Sequence, residues 1–191
     1  AITLGSLYLS KPPDDWRPNG MASEGLGDGE EAAAGATSMD VAQVTGKEAL
    51  RTPRFYLLWV TMFLSISAGL MLLSQAANMT SEITGASTAV AATIVGAIGL
   101  FNAGGRIGWG SLSDYLGRTN MFTFFIGGQA LALVVMPQIS NVWVFAGFLF
   151  LIVSCMGGSF ACLPAYIADL FGTEEVAVIH GYTLTTWAMA G

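Results

Sequence analysis

The stretch Gly105–Arg118, GRIGWGSLSDYLGR, decides how this chain is read. It closes an apolar run, AVAATIVGAIGLFNAGG (residues 89–105), whose single carboxamide is Asn102. An apolar run that ends on Arg106, and then meets Gly108, Gly110, Asp114, Gly117 and a second arginine, Arg118, reads as a membrane helix leaving the bilayer through a tight, charged turn. The composition agrees. Of 191 residues, 53% are hydrophobic and 10% charged, and the mean hydropathy is +0.61. Soluble domains carry about 25% charged residues, so this chain lacks the charge to cover a soluble surface.

Outward from that stretch, apolar segments at 55–76, 88–112, 121–137 and 142–164 each have the length that spans a hydrocarbon core of roughly 30 Å as a helix. A fifth begins at 176. The segments are apolar nearly all round, as lipid-embedded helices are and soluble amphipathic helices are not. The predicted fold is therefore an all-α polytopic membrane bundle over residues 54–191. Residues 1–10 read as the end of a membrane helix. Residues 11–53, rich in Gly, Ala and Glu, read as a largely disordered linker. Within it, Thr45 and Glu48 have capping-box spacing before GKEALR, and Pro53 suits the first turn of the next span. An opening inside one apolar segment and a close inside another suggest a piece of a longer membrane protein.

The net charge of -6 is local. Eight acidic residues, Asp14 to Glu48, precede residue 50, and no basic patch points to nucleic acid. Of the basic residues, Lys11, Arg17, Lys47, Arg51 and Arg54 lie in or beside the linker, and Arg118 lies in the turn on the same side. The positive-inside rule puts the linker and loop 113–120 in the cytoplasm. Cys155 and Cys162, roughly 10 Å apart along one helix, are too distant for a disulfide.

Arg106 is the exception, several residues inside its span, where a charge costs up to about 2.5–3.5 kcal/mol. It either snorkels to the headgroups, pairs with a neighbouring helix, or binds an anion. On a helical wheel Asn102 lies within roughly 40° of it, and Gly104 and Gly108 lie opposite in small-xxx-small spacing. The expected arrangement is a helix seam at Gly104 and Gly108, with Asn102 and Arg106 facing the bundle interior. A guanidinium there binds a carboxylate bidentately, and no Asp or Glu lies deep in any span. In the first full span Thr61, Ser65, Ala68, Leu72, Gln75 and Asn78 share a face that either hydrogen-bonds between helices or walls a polar pathway. Asp169, Glu174 and Glu175 read as solvated loop charges, Asp169 alternatively as a second latch element. His180 reads as structural or as carrier of a coupling proton. One histidine, no metal-ligand spacing and no phosphate-cradling loop point away from an enzyme, a metal or a cofactor.

Gly110-Ser-Leu-Ser-Asp114-Tyr-Leu-Gly117-Arg118 resembles the G-x-x-x-D-x-x-G-R cytoplasmic loop motif of the major facilitator superfamily. Tyr115, Thr119 and Asn120 stand where that motif commonly carries Arg or Lys. The longer pattern of Asn102, Arg106 and Asp114, with KPPDDW, ALRTPRFYLLW, PAYIADLFG and HGYTLTTWAMAG, is similar to the oxalate/formate antiporter family.

The resemblance implies part of the C-terminal half of a twelve-helix fold: the end of helix six, the central loop, and helices seven to eleven. It implies a secondary carrier of small carboxylates such as formate, oxalate or lactate, working by alternating access. Alternatives are a proton-coupled monocarboxylate symporter, another facilitator, or a non-transporting membrane sensor. The residue aligned with Arg106 is expected to bind substrate, with Asn102, Gln75, Tyr182 and Trp187 lining the site. Trp187 stands where oxalate exchangers carry a second cation, a lysine, which favours a monocarboxylate over a dianion. Gly110, Asp114, Gly117 and Arg118 would form a gating latch. The expected partners are a small carboxylate, the lipid bilayer and the N-terminal half of the same transporter. The expected location is the plasma membrane, or the inner membrane of a bacterium.

Overall fold

Local capping chemistry fixes where several of the helices begin. The computed structural model describes residues 44–191. The expected helix end at 1–10 and residues 11–43 of the expected linker lie outside the described residues. The capping box forms as its spacing predicts. Thr45 accepts from the Glu48 amide, and the Glu48 carboxylate accepts from the Thr45 amide at 3.0 Å, starting α1 (Gly46–Ala49). The Thr45 amide, and with it the Thr45 hydroxyl at 2.8 Å, donate to the Glu48 carboxylate and hold it below its ordinary range. Thr52 caps α2 (Pro53–Thr84), with Pro53 in its first turn. Ser87 caps α3 (Thr88–Leu116), and the Asn141 side chain caps α5 (Val142–Phe171) with bonds to the amides of Trp143 and Val144. Each cap satisfies amides that would otherwise be orphaned near lipid.

Among the described residues, four helices are long and apolar enough to cross a membrane: α2, α3, α5, and α4 (Arg118–Val135) with its 3₁₀ extension Met136–Gln138. They outrun the apolar segments that predict them. α3 continues through the motif to Leu116, and α4 resumes at Arg118. The expected loop at 113–120 therefore shrinks to Gly117, whose φ of 81° is open to glycine and costly for other residues. α5 passes through Pro164 to Phe171 although proline removes the amide that the Phe160 carbonyl would accept. Buried residues on both sides of the gap, Leu163 and Ile167 among them, pack the helix against its neighbours there.

The expected fifth span is divided into α6 (Val176–Thr183) and α7 (Thr185–Ala190). The hydroxyls of Thr183, Thr185 and Thr186 each donate to the carbonyl three residues back, at 2.6–2.7 Å. Such back-bonding competes with the helical ladder and tightens the chain at Leu184.

α5 is the central helix, touching α2, α3, α4 and α6. One apolar cluster at the Gly117 end joins Phe55, Met62, Phe125, Leu163 and Ile167. A second toward the Gly85 end joins Leu72, Ile98, Met136, Leu149 and Ile152. Near their boundary lies a buried polar group. Gln129 Nε2 donates to Ser65 Oγ at 2.9 Å, and Ser65 and Ser159 hydroxyls meet at 3.2 Å. Ser159 donates to the Met156 carbonyl, so Ser65 is the donor to Ser159. Of the face running from Thr61 to Asn78, Ser65 thus takes the interhelical role.

The seam differs from the wheel expectation. Gly104 and Gly108 face open space, and the close approach is made by Gly105 instead. A Cβ there would collide with the Ser154 backbone, its Cα 2.7 Å away. Across the seam, a Cβ on Gly157 would meet the Asn102 backbone, and one on Gly158 the Trp109 Cβ at 2.7 Å. A wheel identifies a small face but not which face receives a neighbour. Gly105→Leu is expected to cost about 1–3 kcal/mol by overpacking, while Gly108→Leu, entering open space, leaves thermal unfolding in detergent unchanged or raised. Equal effects of the two substitutions would refute this seam.

Candidate ligand site at Arg106

The Gly105 contact brings α3 against α5 with Asn102 on the seam and Arg106 on its flank. Asn102 Nδ2 donates to the Val153 carbonyl at 3.1 Å, which leaves its Oδ1 to accept from Arg106 Nε at 3.3 Å. The Arg106 Cζ lies 5.9 Å from the centre of the Phe160 ring. Phe160 in turn packs on Trp187 of α7, centroids 5.4 Å apart and tilted by 58°. A guanidinium on a ring face is an attractive geometry, worth about 0.5–1 kcal/mol at exposed sites. Among the described residues Arg106 forms no ion pair. Its side chain is exposed rather than packed into the interior that the wheel suggested.

Arg106 also lines a cleft of about 470 Å³ between α3 and α5, with Gly110, Ser111, Asp114, Arg118 and Cys162. The motif sits at the other end of this cleft. Arg118 Nη1 reaches Asp169 Oδ2 at 2.6 Å and its Nη2 reaches Asp114 Oδ1 at 3.1 Å. One guanidinium thus ties the ends of α3 and α5 to the start of α4. The Arg118 Nε is buried without a partner. Asp169, read as a solvated charge or a second latch element, is half exposed and ion-paired to Arg118. Gly117 makes the turn, while Gly110 has ordinary room, with Ala161 3.8 Å from its ideal Cβ.

Other expected residues lie elsewhere. Gln75 is exposed and accepts from Asn78 Nδ2 at 3.3 Å, toward the Gly85 end. Tyr182 packs on Gly46 of α1, its Cε2 3.2 Å from that glycine's ideal Cβ. Glu175, expected as a solvated loop charge, accepts from the Gly46 amide at 2.6 Å and so holds α1 to the start of α6. Its reach across 129 residues leaves no trace in local sequence. Cys155 and Cys162 are free and buried. Phe160 is the site residue that sequence reasoning missed. It stands 54 positions from Arg106 in a largely apolar segment, and only the α3–α5 contact joins them.

The family model of the major facilitator superfamily matches residues 1–191. The chain belongs to the major facilitator superfamily. It is 34% identical over 137 residues to the oxalate:formate antiporter of Oxalobacter formigenes, covering 71% of this chain and 32% of that protein. It is 26% identical over 138 residues to YhjX, an uncharacterised MFS-type transporter of Escherichia coli strain K12, covering 70% of this chain and 34% of that protein. The chain spans about a third of the length of these relatives. The resemblance read from Asn102, Arg106 and the Gly110–Arg118 motif is thus matched, and the chain is an integral membrane protein of a transporter superfamily.

The shared guanidinium makes a testable statement. Asp114→Asn and Asp169→Asn are each expected to cost less than about 1 kcal/mol, because both carboxylates are half exposed or more. Their effects on unfolding in detergent should be non-additive, since both act on Arg118. Strict additivity would show that Arg118 does not bind them together.

Proposed function

We propose that this chain is part of the C-terminal half of a secondary carrier that exchanges small carboxylates by alternating access, with Arg106 as the cation that holds the carboxylate. The observation that carries this reading is an arginine inside a 29-residue spanning helix, facing a polar cleft, with no carboxylate of the described residues paired to it. A guanidinium offers two parallel N–H donors to a carboxylate, and Arg106 has only its Nε engaged. Asn102 fixes that nitrogen, so the Nη edge stays available.

The rest of the site sets the class of acid. Phe160 and Trp187 supply aromatic surface beside a single cation. That suits a small monocarboxylate, such as formate or lactate, better than the dianion oxalate. The similarity to a protein named for oxalate:formate antiport supports exchange of small acids. The Gly117 end, with Lys47, Arg51, Arg54 and Arg118, faces the cytoplasm of a plasma or inner membrane by the positive-inside rule.

Alternating access requires that loaded and empty carriers differ in how easily they close. An anion on Arg106 neutralises a charge that is costly in a closed, water-poor site. The Arg118 clamp on Asp114 and Asp169 acts as a latch at the Gly117 end, working against the N-terminal half of the transporter. A second reading, proton-coupled symport, draws on His180, whose Nδ1 is buried without a partner.

The test is flux in liposomes containing the full-length transporter, loaded with labelled formate, lactate or oxalate. Arg106→Gln is expected to lower exchange about 100-fold, the cost of losing a charge-assisted pair, and Arg106→Lys less. Formate or lactate is expected to exchange faster than oxalate. Full exchange by Arg106→Gln would overturn the site. Uptake driven only by a proton gradient, and lost in His180→Gln, would favour symport.

A further inference from the structure

A trough runs along the outside of the bundle between α2, α4 and α5, with a volume of about 570 Å³. We propose that it holds one anionic phospholipid, with the phosphate on Arg54 and an acyl chain lying along α4 toward Gly127. This inference rests on the membrane embedding of the chain and not on which acid is carried.

The trough has the polarity of a lipid. Its mouth, at the Gly117 end, is lined by Arg54, Thr119 and the hydroxyl of Tyr166. Its deeper wall is Leu57, Phe122, Ile126 and Gly127. Two threonines also face it, but their hydroxyls are already spent. Thr61 donates to the Leu57 carbonyl at 2.7 Å and Thr123 to the Thr119 carbonyl at 3.0 Å. The deep wall therefore offers methyl groups and methylenes rather than free donors. From Thr119 to Gly127 it extends roughly 12 Å along α4. Leu57 is 69% exposed, so no described residue covers the trough there.

Charge favours an anion at the mouth. Arg54 forms no ion pair among the described residues. It also lines a second, adjoining cavity of about 190 Å³ with Thr52 and Leu170, and no carboxylate lines either space. Lys47 and Arg51 are exposed within the preceding eight residues. The acid among them, Glu48, is engaged by Thr45. The nearby Asp114 and Asp169 are both taken by Arg118. Clusters of basic residues at a helix end attract anionic headgroups, and a cation above an apolar trough discriminates for a lipid over a free anion.

The experiment is native mass spectrometry of the full-length transporter released from bilayers of phosphatidylcholine with phosphatidylglycerol. One phosphatidylglycerol is expected to stay bound where phosphatidylcholine does not. Arg54→Gln is expected to weaken its retention about fivefold, with Arg54→Lys retaining it. Gly127→Leu fills the trough without touching a charge. Nothing lies within 4 Å of its Cβ position, so the variant should fold and still lose the lipid. Equal retention of the two lipids, or retention unaffected by both Arg54→Gln and Gly127→Leu, would overturn the proposal. So would cross-linking of Leu57→Cys to another helix of the same protein, which would assign the trough to protein. Carboxylate flux in the same bilayers reads the carrier function separately.

Discussion

The close approach of α3 and α5 is the constraint on which the rest of the structure depends. Three glycines permit it: Gly105 against the Ser154 backbone, Gly157 against Asn102, and Gly158 against Trp109. In lipid there is no hydrophobic drive for helices to associate, so van der Waals fit and hydrogen bonds between helices must supply it. The same seam carries Asn102 to Val153 and Trp109 Nε1 to Ser154 Oγ at 3.2 Å. It also sets Arg106 over Phe160. Moving the helices apart by one methyl group would disturb every one of these contacts, because they share one register.

Two arginines on either side of Gly117 show how context divides one chemistry into two roles. Arg118 has two carboxylates on its Nη groups. It is neutralised, geometrically fixed, and ties three helix ends. Arg106, three turns earlier on α3, has a carboxamide and a ring but no carboxylate among the described residues. The first arrangement makes a structural clamp, and the second leaves donors for an anion. They border one cleft, so a change at either end alters the electrostatic setting of the other.

Polar groups inside the bundle follow a related economy. Ser65, Gln129 and Ser159 are hydrogen-bonded across α2, α4 and α5, at the boundary of two apolar clusters, with the Gln129 Oε1 left buried without a partner. Ser159 precedes Phe160, so this group fixes the turn of α5 that presents the ring to Arg106. Many other serine and threonine hydroxyls return to their own helix, as in Thr80 to the Ala76 carbonyl. A hydroxyl that does so leaves an apolar face, and this distinguishes the trough beside Arg54 from a polar channel.

The amino-acid sequence determined by itself the membrane class, the all-α fold, the positions of the spans and the capping at Thr45 and Pro53. These follow from local quantities: run length, hydropathy, and hydrogen bonds closed within one turn. It also marked Arg106 as anomalous and the Gly110–Arg118 motif as a turn. The tertiary structure decided which glycine face meets a neighbour, that Arg118 holds Asp169 as well as Asp114, and that Phe160, backed by Trp187, lies against Arg106 while Gln75 and Tyr182 lie elsewhere. It also reduced the turn to Gly117, because helix packing carried α3 past its apolar run. Most of these contacts join residues distant in the chain, such as Gly105 with Ser154 and Arg118 with Asp169, and a helical wheel gives every face of a helix the same standing. Only the packing of a second helix breaks that symmetry.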